Sequence, residues 1–481
     1  MDIYVDSRRC GEGKTYDNSP TAVYRQGFSL STWGRIKARF ELADKTLVVL
    51  PSLALCEKYY QELVPFVQER TVQDVDRKIK RLTSEYTENV QRELHHAFED
   101  GVDIIIITQA AWLQSDIPTA YRTQRHLIID EAIMPYREIP VYHEETCGID
   151  FNWSKNTVLV EATDMAVEWP ELRFYNLKGN FITDAAEQTR FLLNPNWRNR
   201  CHMLDYEKFA DVMPKNDRLS IIQELLPTIM MNWASIWIAC AAFEYTFMGH
   251  WMKSHGINWR IVPGLEFKPH EIGVNIHGPE DKFTWSSYKQ SNEPELITQY
   301  RDQVTKIAEQ DGVLILRNNS QNRQIFAQEQ KLPHNSAGSN DYRNYRYVSL
   351  ESALNATPNM TRFLRDVYGI ERESHKDPVH IAQTVYTFYQ TLMRSCLRDG
   401  KEATVFCLDN RVVLGLAEFF TNINYEEIRL VRRTDINEPG RPTSTDLGRA
   451  LTAAERNFIA RKRKYPQYQH MSNDEILALR K

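Results

Sequence analysis

Short runs of apolar residues, separated by longer segments of mixed character, dominate the first part of the chain. The runs LVVL at 47–50, IIII at 104–107 and LII at 127–129 contain no polar residue. Such runs are typical of strands that are buried on both faces of a parallel sheet. The segment after Pro51 has the apolar spacing of an amphipathic helix, and the charged residues 66–100 are also predicted to be helical. The pattern therefore predicts an α/β fold.

The second half contains the longest apolar stretch and one further clear strand. Residues 233–251 are interrupted by Glu244, so we interpret them as a buried strand that runs into a helix, and we expect no membrane role. Residues 311–319, DGVLILRNN, have the pattern of another buried strand. The parallel arrangement predicted for the first half is thus expected again here.

Composition and charge exclude several classes of protein. Of the 481 residues, 42% are hydrophobic and 26% are charged, as in ordinary soluble proteins with more than one domain. The seven cysteines form no C-x-x-C pair, which argues against a disulfide framework or zinc site and favours a reducing cytoplasm. The net charge is −5, but residues 432–481 carry 11 Lys or Arg against 6 Asp or Glu. This basic tail is either a solvated surface or a contact for an anionic partner.

A glycine-containing loop follows the short strand MDIYVD at the start of the chain. It ends in GEGKT, as a phosphate-binding loop does, although Arg8 stands where the usual pattern has its first glycine. The glycines allow backbone N–H groups to face a phosphate, Lys14 is expected to contact the β- and γ-phosphates, and the Thr15 hydroxyl is expected to bind Mg²⁺. A polar surface turn is the alternative. The residues predicted to bind the nucleotide are Gly11, Glu12, Gly13, Lys14 and Thr15.

Two carboxylates end the buried strand LIID. At the carboxyl edge of a parallel sheet, Asp130 and Glu131 are expected to lie beside the end of the first strand, where the phosphate loop begins. Asp130 is predicted to hold Mg²⁺ through water, and Glu131 to activate the attacking water. Acidic residues also favour plain helix N-termini, but the glycine loop upstream favours the functional interpretation.

These segments, taken in order, resemble a known family. GEGKT, LVVLPS, IIITQ and IIDEA are similar to motifs I, Ia, Ic and II of superfamily 2 helicases, the DEAD/DEAH-like group. The resemblance implies two RecA-like P-loop domains with parallel sheets. It also implies that ATP and Mg²⁺ bind between them and that single-stranded nucleic acid crosses their top. The residues expected to contact nucleic acid are Pro51, Ser52, Thr108, Gln109, Gly338 and Asn340.

The resemblance extends into the second half, with departures. Cys240-Ala241-Ala242 stands in place of the Ser-Ala-Thr of motif III, so two hydroxyls are absent. In the family these hydroxyls link the state of the bound ATP to the binding of nucleic acid, and this departure puts that coupling in doubt. Glu244 and Thr246 are candidates to take over part of that role. The segment around Gly338 and Asn340 resembles motif V, where small residues let the backbone approach a sugar-phosphate chain.

The segment 380–400 resembles motif VI and has the pattern of one packed helix. In such a helix Gln390, Arg394 and Arg398 recur every four residues and lie along one face. In the family this glutamine and these arginines face the ATP that is bound to the other domain. Arg394 and Arg398 are therefore predicted to be arginine fingers that stabilise the transferred phosphoryl group.

The sequence thus predicts an order of domains. We expect a first RecA-like domain over 1–265 with an inserted subdomain at about 140–230, a linker over 266–300, a second RecA-like domain over 301–430 and a basic helical tail over 431–481. No internal repeat or Gly/Ser-rich linker adds a further boundary.

The predicted function is that of an ATP-dependent helicase or translocase on single-stranded nucleic acid, DNA rather than RNA. By analogy, the compact set of motifs suggests a phage or viral protein of replication, recombination or repair that works with other such proteins in a bacterial or infected-host cytoplasm. Two alternatives stay open. One is a degenerate helicase fold that binds nucleic acid or a protein partner without ATP turnover, and the other is a DNA-packaging ATPase of the terminase type.

Overall fold

The structure is a computed structural model of the whole chain, and part of the chain is described here. The described residues are 2–10, 12, 14, 24–25, 28–71, 75–87, 89–142, 158–163, 167–176, 192–205, 218–280, 283–286, 289, 293–308, 311–317, 326, 328–332, 342–370, 377–430, 458–459, 462 and 471–478.

Strands are numbered in chain order over the described residues. They are β1 (Ile3–Asp6), β2 (Tyr24–Arg25), β3 (Phe28–Ser29), β4 (Lys45–Leu50), β5 (Ile79–Leu82), β6 (Ile104–Thr108), β7 (Arg125–Asp130), β8 (Tyr136–Tyr142), β9 (Val158–Thr163), β10 (Glu171–Asn176), β11 (Trp197–Arg200), β12 (Arg218–Leu225), β13 (Ser235–Ala239), β14 (Arg260–Ile261), β15 (His270–Pro279), β16 (Val313–Leu316), β17 (Glu329–Lys331), β18 (Tyr347–Leu350), β19 (Ala403–Cys407) and β20 (Phe420–Ile428).

Helices are numbered in the same way. They are α1 (Thr32–Glu41), α2 (Leu53–Gln68), α3 (Val90–Glu99), α4 (Gln109–Gln114), α5 (Thr119–Arg122), α6 (Phe247–Ser254), α7 (Pro294–Ala308), α8 (Pro358–Tyr368), α9 (Pro378–His380), α10 (Tyr386–Leu392), α11 (Asn410–Leu416) and α12 (Asn473–Ala478), with a π-helical turn at Ile381–Val385 between α9 and α10.

Seven parallel strands form the first sheet, in the order β14-β1-β13-β7-β4-β6-β5. The apolar runs fill β4, β6 and β7, whose residues pack against α1 and α2 on one face and against α3, α6 and the inserted sheet on the other. Burial on both faces is the reason these strands lack the alternation of a half-exposed sheet. The prediction of a parallel α/β sheet is confirmed.

The first sheet differs from expectation in two places. Residues 66–100 are not one helical region, because they include β5, which pairs with β6 at the edge of the sheet. In addition, β13 lies between β1 and β7, so the acidic strand end is one strand removed from the phosphate loop. The first difference arises because the IKRL run of β5 has only four residues, two of them charged, so its periodicity is weak.

An inserted antiparallel sheet separates β7 from β13 in the chain. Its order is β8-β12-β11-β10-β9, and β8 begins five residues after Glu131. Helix α8, which follows β18, packs on this insertion: the ring of Phe363 makes edge contacts with Tyr136 and Trp169 at centroid distances of 6.0 and 5.2 Å. The predicted inserted subdomain is therefore present, and it contacts a helix from the second half.

A second parallel sheet has six strands in the order β17-β16-β18-β19-β15-β20. The strand predicted at 311–319 is β16. The region predicted as a linker, 266–300, instead supplies β15, which pairs with both β19 and β20. Its sequence, HEIGVNIHGP, mixes glycine, proline and histidine with apolar residues, so the strand pattern is masked. The second sheet thus begins earlier than the predicted boundary, and the domain limits themselves stay a prediction.

The predicted single helix over 380–400 is also different in the structure. Helix α10 ends at Leu392, and a 3₁₀ turn follows at Cys396–Asp399. The hydroxyl of Ser395 accepts a hydrogen bond from the N–H of Leu397 at 3.4 Å, so this serine caps the new turn. Arg394 and Arg398 therefore do not continue the helical face of Gln390.

The C-terminal residues Leu430–Lys481 form a compact unit of their own. Within it, Ser472 begins α12: its hydroxyl accepts from the N–H of Glu475 at 3.2 Å, and the Glu475 carboxylate accepts from the N–H of Ser472 at 2.7 Å. This reciprocal pair of hydrogen bonds is a capping box, with Ser472 as the N-cap of the helix. Across the described part of the whole chain, no helix is long and apolar enough to cross a membrane.

Candidate active site

The candidate site is centred on Glu131, at the carboxyl end of β7. Its backbone is in the left-handed region with φ of 78°, and its N–H donates to the carbonyl oxygen of Ala239 on β13 at 2.8 Å. A non-glycine residue in this region costs free energy, and such strain is often found at functional sites. Its carboxylate is directed toward residues of the second half.

Three side chains converge on a single oxygen of that carboxylate. Oε1 of Glu131 accepts from Nε2 of Gln390 and from the hydroxyl of Tyr386, each at 3.2 Å, and lies 3.6 Å from Sγ of Cys240. Nε2 of Gln390 also donates to the Tyr386 hydroxyl at 2.7 Å. Burial raises the pKa of Tyr386 and of Cys240, so both keep the protons that they can donate. Sequence reasoning did not find Tyr386, which lies one helical turn before Gln390.

The unusual Arg8 has a structural partner. Its Nε and Nη2 donate to the two oxygens of the Asp6 carboxylate at 2.9 and 2.7 Å, and its Nη1 donates to the carbonyl oxygen of Glu12 at 2.8 Å. Both charged side chains are buried, with 5% and 0% exposure. A bidentate pair of this kind fixes geometry as well as charge. Arg8 therefore braces the loop against the end of β1, where the family pattern has a glycine.

Lys14 lies inside the loop. It is 8% exposed, and its Nζ donates to the carbonyl oxygens of Arg8 and Arg9 at 2.8 and 2.7 Å. The carboxylate of Glu12 accepts from the side chain of Arg9 at 2.8 Å, and its predicted contact with the nucleotide stays a prediction. The other predicted nucleotide-binding positions of the loop, Gly11, Gly13 and Thr15, lie outside the described residues.

The second half contacts the loop directly. The N–H of Cys10 donates to the hydroxyl of Tyr389 at 3.1 Å, and Sγ of Cys10 lies 3.4 Å from Oε1 of Gln390. The Tyr389 hydroxyl is also 3.1 Å from Nε2 of His270 on β15. Burial, together with the charges of Arg9 and Lys14, lowers the pKa of His270 to about 3, so this ring is neutral at physiological pH.

Asp130 is buried beside the loop. Its Oδ1 accepts from the hydroxyl of Thr32 at 3.3 Å, and the N–H of Thr32 donates to the carbonyl oxygen of Lys14 at 2.6 Å. Thr32 is the first residue of α1 and is fully buried. It connects the loop to the acidic strand end, and sequence reasoning missed it because residues 15–31 separate it from the motif.

The segment that resembles motif III lacks the serine and threonine hydroxyls of that motif and makes other contacts. Cys240 reaches Glu131 and lies 3.1 Å from the Tyr386 hydroxyl, while Ala241 and Ala242 pack in the core of the second sheet. Glu244 accepts from the hydroxyl of Ser7 in the loop. Thr246 caps α6, because its hydroxyl accepts from the N–H of Gly249 at 3.1 Å. The segment therefore still touches both the loop and the second half.

The two predicted arginine fingers lie near one another, and Arg398 also interacts electrostatically with Cys10 of the loop. Arg394 is 7% exposed. Burial lowers the pKa of Arg398, and the positive charge of Arg394 lowers it further, whereas the thiol group of Cys10 acts in the opposite direction. Two neighbouring guanidinium groups, one buried and one half-buried, favour an anionic partner. Their roles stay a prediction.

The residues predicted to contact nucleic acid have local partners in the structure. The hydroxyl of Ser52 accepts from Leu55 N–H at 3.3 Å at the start of α2, next to Pro51 in the turn, and that of Thr108 accepts from Ala111 N–H at 3.2 Å at the start of α4. Nε2 of Gln109 donates to the carbonyl oxygen of Glu131 at 3.0 Å, so it positions the backbone of the acidic pair. Gly338 and Asn340 lie outside the described residues.

The donor groups fit a nucleotide with Mg²⁺. A buried lysine ammonium that donates to two backbone carbonyls can exchange them for phosphate oxygens, and a carboxylate beside a hydroxyl is an oxygen set of the kind that Mg²⁺ prefers. A bound Mg²⁺ would neutralise phosphate charge, and Asp130 is the described residue predicted to hold it.

Another group of possible metal ligands has a different explanation. Glu168, His202 and Asp366 each place one ligand atom within 4.8 Å of the others. Nδ1 of His202 accepts from Leu204 N–H at 3.3 Å, which puts the ring proton on Nε2, and Nε2 lies 3.1 Å from the Glu168 carboxylate. This is a hydrogen-bonded group that joins the insertion to α8, since Trp169 Nε1 also donates to Asp366 at 3.2 Å.

Comparison with known proteins gives distant structural neighbours. No protein-family model and no curated protein matches the chain. A solved XPD helicase is 13% identical, with a TM-score of 0.47, over 89% of this chain and 96% of that one. Xpd4 of S. tokodaii is 11% identical, with a TM-score of 0.46, over 88% and 96%. T4 UvsW is 9% identical, with a TM-score of 0.22, over 83% and 72%.

The fold agrees with the motif resemblance. The chain has two parallel sheets, with a phosphate-type loop after β1, an acidic strand end on β7 and a glutamine from the second half that meets it. The predicted fold class, with two parallel sheets in an α/β chain, is therefore confirmed. At these identities, similarity to solved structures is a statement about fold and not about activity.

Proposed function

We propose that the chain is an ATP-dependent translocase of helicase type, which binds ATP between its two parallel sheets and moves on single-stranded nucleic acid. The observation that carries this proposal is the hydrogen bond between Gln390 and Glu131, because it joins the second half to the carboxylate next to the phosphate loop. A nucleotide at the loop would lie at this junction. A change in the nucleotide would then alter how the two halves meet.

Each residue has a proposed task in hydrolysis. Lys14 holds the β- and γ-phosphates, and Glu131 orients the attacking water. Arg394 and Arg398 stabilise the charge of the transferred phosphoryl group. Because Oε1 of Glu131 accepts from Tyr386 and Gln390, Oε2 is the oxygen proposed to face the water.

The alternative of a fold without turnover loses its two supporting features. Arg8 is bound to Asp6 within the loop, and Cys240 contacts both Glu131 and Tyr386. Each departure from the family pattern thus has a partner within the site, and neither is evidence of decay. We therefore favour an active enzyme.

The test is ATP hydrolysis by the full chain alone and with single-stranded DNA, single-stranded RNA or duplex DNA. We expect hydrolysis that single-stranded DNA stimulates most, in keeping with the proposed partners in replication or repair and a cytoplasmic location. Lys14→Met, which keeps the stem of the side chain and removes its charge, is the control for contaminating ATPases. Equal release of phosphate by the wild type and Lys14→Met would contradict the proposal.

A further inference from the structure

The start of helix α1 lies against the lysine of the phosphate loop. The N–H of Thr32 donates to the carbonyl oxygen of Lys14 at 2.6 Å, although residues 15–31 lie between them in the chain. In P-loop proteins a hydroxyl residue follows the loop lysine directly and opens the helix. Here the helix that meets the lysine opens with Thr32.

The side chain of Thr32 is directed at the acidic strand end. Its hydroxyl donates to Oδ1 of Asp130 at 3.3 Å, and both residues are buried, with 0% and 3% exposure. The neighbouring hydroxyl, that of Ser31, caps the helix by accepting from Gly34 N–H at 2.9 Å. The two adjacent hydroxyls therefore have different tasks, and only that of Thr32 faces the carboxylate.

We propose that Thr32, and not Thr15 of the GKT motif, supplies the hydroxyl ligand of the Mg²⁺ ion that accompanies the bound nucleotide. This rests on the proposed function, since it concerns the same site. Residues 15–31 separate Thr32 from Lys14 in the sequence, and the fold brings its hydroxyl close to the lysine and to Asp130.

The hydrogen-bond chemistry suits this role. A hydroxyl has one proton and two lone pairs, and the proton of Thr32 is given to Asp130, so its lone pairs remain available to a cation. Asp130, which is predicted to hold Mg²⁺ through water, orients the Thr32 hydroxyl with this 3.3 Å hydrogen bond and leaves the direct ligand position to the hydroxyl. Thr32 also donates its N–H to the carbonyl oxygen of Lys14, so its hydroxyl lies beside the loop lysine as well as beside Asp130.

The test measures Mg²⁺-dependent binding of a non-hydrolysable ATP analogue with a fluorescent label. Four full-length proteins are compared: wild type, Thr32→Val, Thr32→Ser and Thr15→Val. Valine keeps the shape of threonine and removes the hydroxyl, serine keeps the hydroxyl, and Thr15→Val is the matched control at the motif position. Thermal unfolding of each protein identifies any variant that fails to fold. Bound Mn²⁺, followed by its electron paramagnetic resonance signal in the presence of the analogue, gives a direct measure of the metal.

We expect Mg²⁺ to tighten the binding of the analogue to the wild type, to Thr32→Ser and to Thr15→Val. Thr32→Val should lose most of this Mg²⁺ effect and should bind Mn²⁺ at least about tenfold more weakly, while its affinity without metal changes little. Loss of the effect in Thr15→Val with retention in Thr32→Val overturns the proposal, as does retention in both. If Thr32→Val does not fold, Thr32→Ser and Thr15→Val decide the question. A normal Mg²⁺ effect in Thr15→Val then supports the assignment to Thr32, and loss of the Mg²⁺ effect in Thr15→Val overturns it. Failure of the wild type to bind any analogue overturns the proposed function together with this assignment.

Discussion

Nε2 of Gln390 lies 3.2 Å from Oε1 of Glu131 and donates a hydrogen bond to it, which ties helix α10 of the second half to the end of β7 in the first sheet. The Oε1 of the same glutamine lies 3.4 Å from Sγ of Cys10 in the phosphate loop. One amide group therefore links the loop, the acidic strand end and the second sheet. A shift in the position of any one of these three parts is therefore expected to shift the other two.

Tyr386 is predicted to orient Glu131, so Tyr386→Phe should slow hydrolysis by roughly 10–100-fold, the range expected for loss of a hydrogen bond to a charged group. Binding of ATP should change little, because the hydroxyl contacts Glu131, Cys240 and Gln390, and none of these is predicted to hold the phosphates. Single-turnover hydrolysis and fluorescent nucleotide binding measure the two effects separately.

Tyr300→Phe is the matched control for this prediction. Tyr300 is a buried tyrosine of the second half, and its hydroxyl is 3.0 Å from Oγ of Ser349. If Tyr386 acts through Glu131, adding Tyr386→Phe to Glu131→Gln should cause no further loss of rate. Additive losses, or an equal loss in Tyr300→Phe, would show a general effect on stability.

Lys14→Ala is expected to abolish hydrolysis and to weaken ATP binding, because the ammonium group is predicted to serve the phosphates. Glu131→Gln should instead retain ATP and hold the closed state, since the amide keeps the shape but cannot accept the proton of the water. Equilibrium binding of ATP to both variants distinguishes these results. Unchanged turnover in Lys14→Ala, or complete loss of binding in Glu131→Gln, would contradict the assigned roles.

The sequence predicts the parts of this fold whose burial leaves a simple pattern. Strands β4, β6 and β7 are covered on both faces, so their apolar runs are unbroken, and the apolar spacing after Pro51 matches α2, which Ser52 caps through a local hydrogen bond. Local signals of this kind do not depend on the rest of the chain.

The remaining features depend on contacts between distant residues. Strand β15 carries exposed or half-exposed polar side chains such as Asn275, so its place in the sheet is visible only from its pairing with β19 and β20. The end of α10 depends on Ser395, whose hydroxyl competes with the helix. Thr32 joins the site through Lys14 and Asp130 across segments that are far apart in sequence.

Arg8→Gly, which restores the glycine of the family pattern, is predicted to destabilise the protein. The Asp6 carboxylate is fully buried, and loss of its bidentate partner should lower the free energy of unfolding by about 3–5 kcal/mol. Urea unfolding measures the change. In the double variant with Asp6→Asn the buried charge is absent, so part of the stability should return; an equally unstable double variant would show that Arg8 acts elsewhere.

Removal of residues 452–481 is predicted to weaken binding of nucleic acid mainly at low salt, because the lost contacts would be to phosphates. ATP hydrolysis without nucleic acid should hardly change. Replacement of the four basic residues at 461–464 by glutamine is the matched variant that keeps the chain length. Binding to labelled single-stranded DNA over a range of salt concentrations tests this, and equal affinity and salt slope for all three proteins would exclude the tail from the binding surface.

Arg394 and Arg398 are predicted to contribute unequally to hydrolysis. Arg394 follows Gln390 at the spacing of the family motif and is 7% exposed, whereas Arg398 lies in the 3₁₀ turn after the end of α10. Arg394→Ala should therefore slow single-turnover hydrolysis by about 10³-fold or more, as expected for an arginine finger. Arg398→Ala should have the smaller effect, chiefly on stimulation by nucleic acid.

Arg343→Ala is the matched control for the two arginines, because Arg343 lies near Arg398 and pairs with Asp399 at 3.2 Å on the protein surface. Its removal should leave the rate nearly unchanged. All three variants are assayed at saturating ATP with single-stranded DNA. A larger loss of rate in Arg398→Ala than in Arg394→Ala would mean that the 3₁₀ turn at Cys396–Asp399, and not Arg394, faces the phosphates. If neither Arg394→Ala nor Arg398→Ala slows hydrolysis, the second half does not reach the nucleotide. The proposal that ATP is hydrolysed between the two sheets is then wrong.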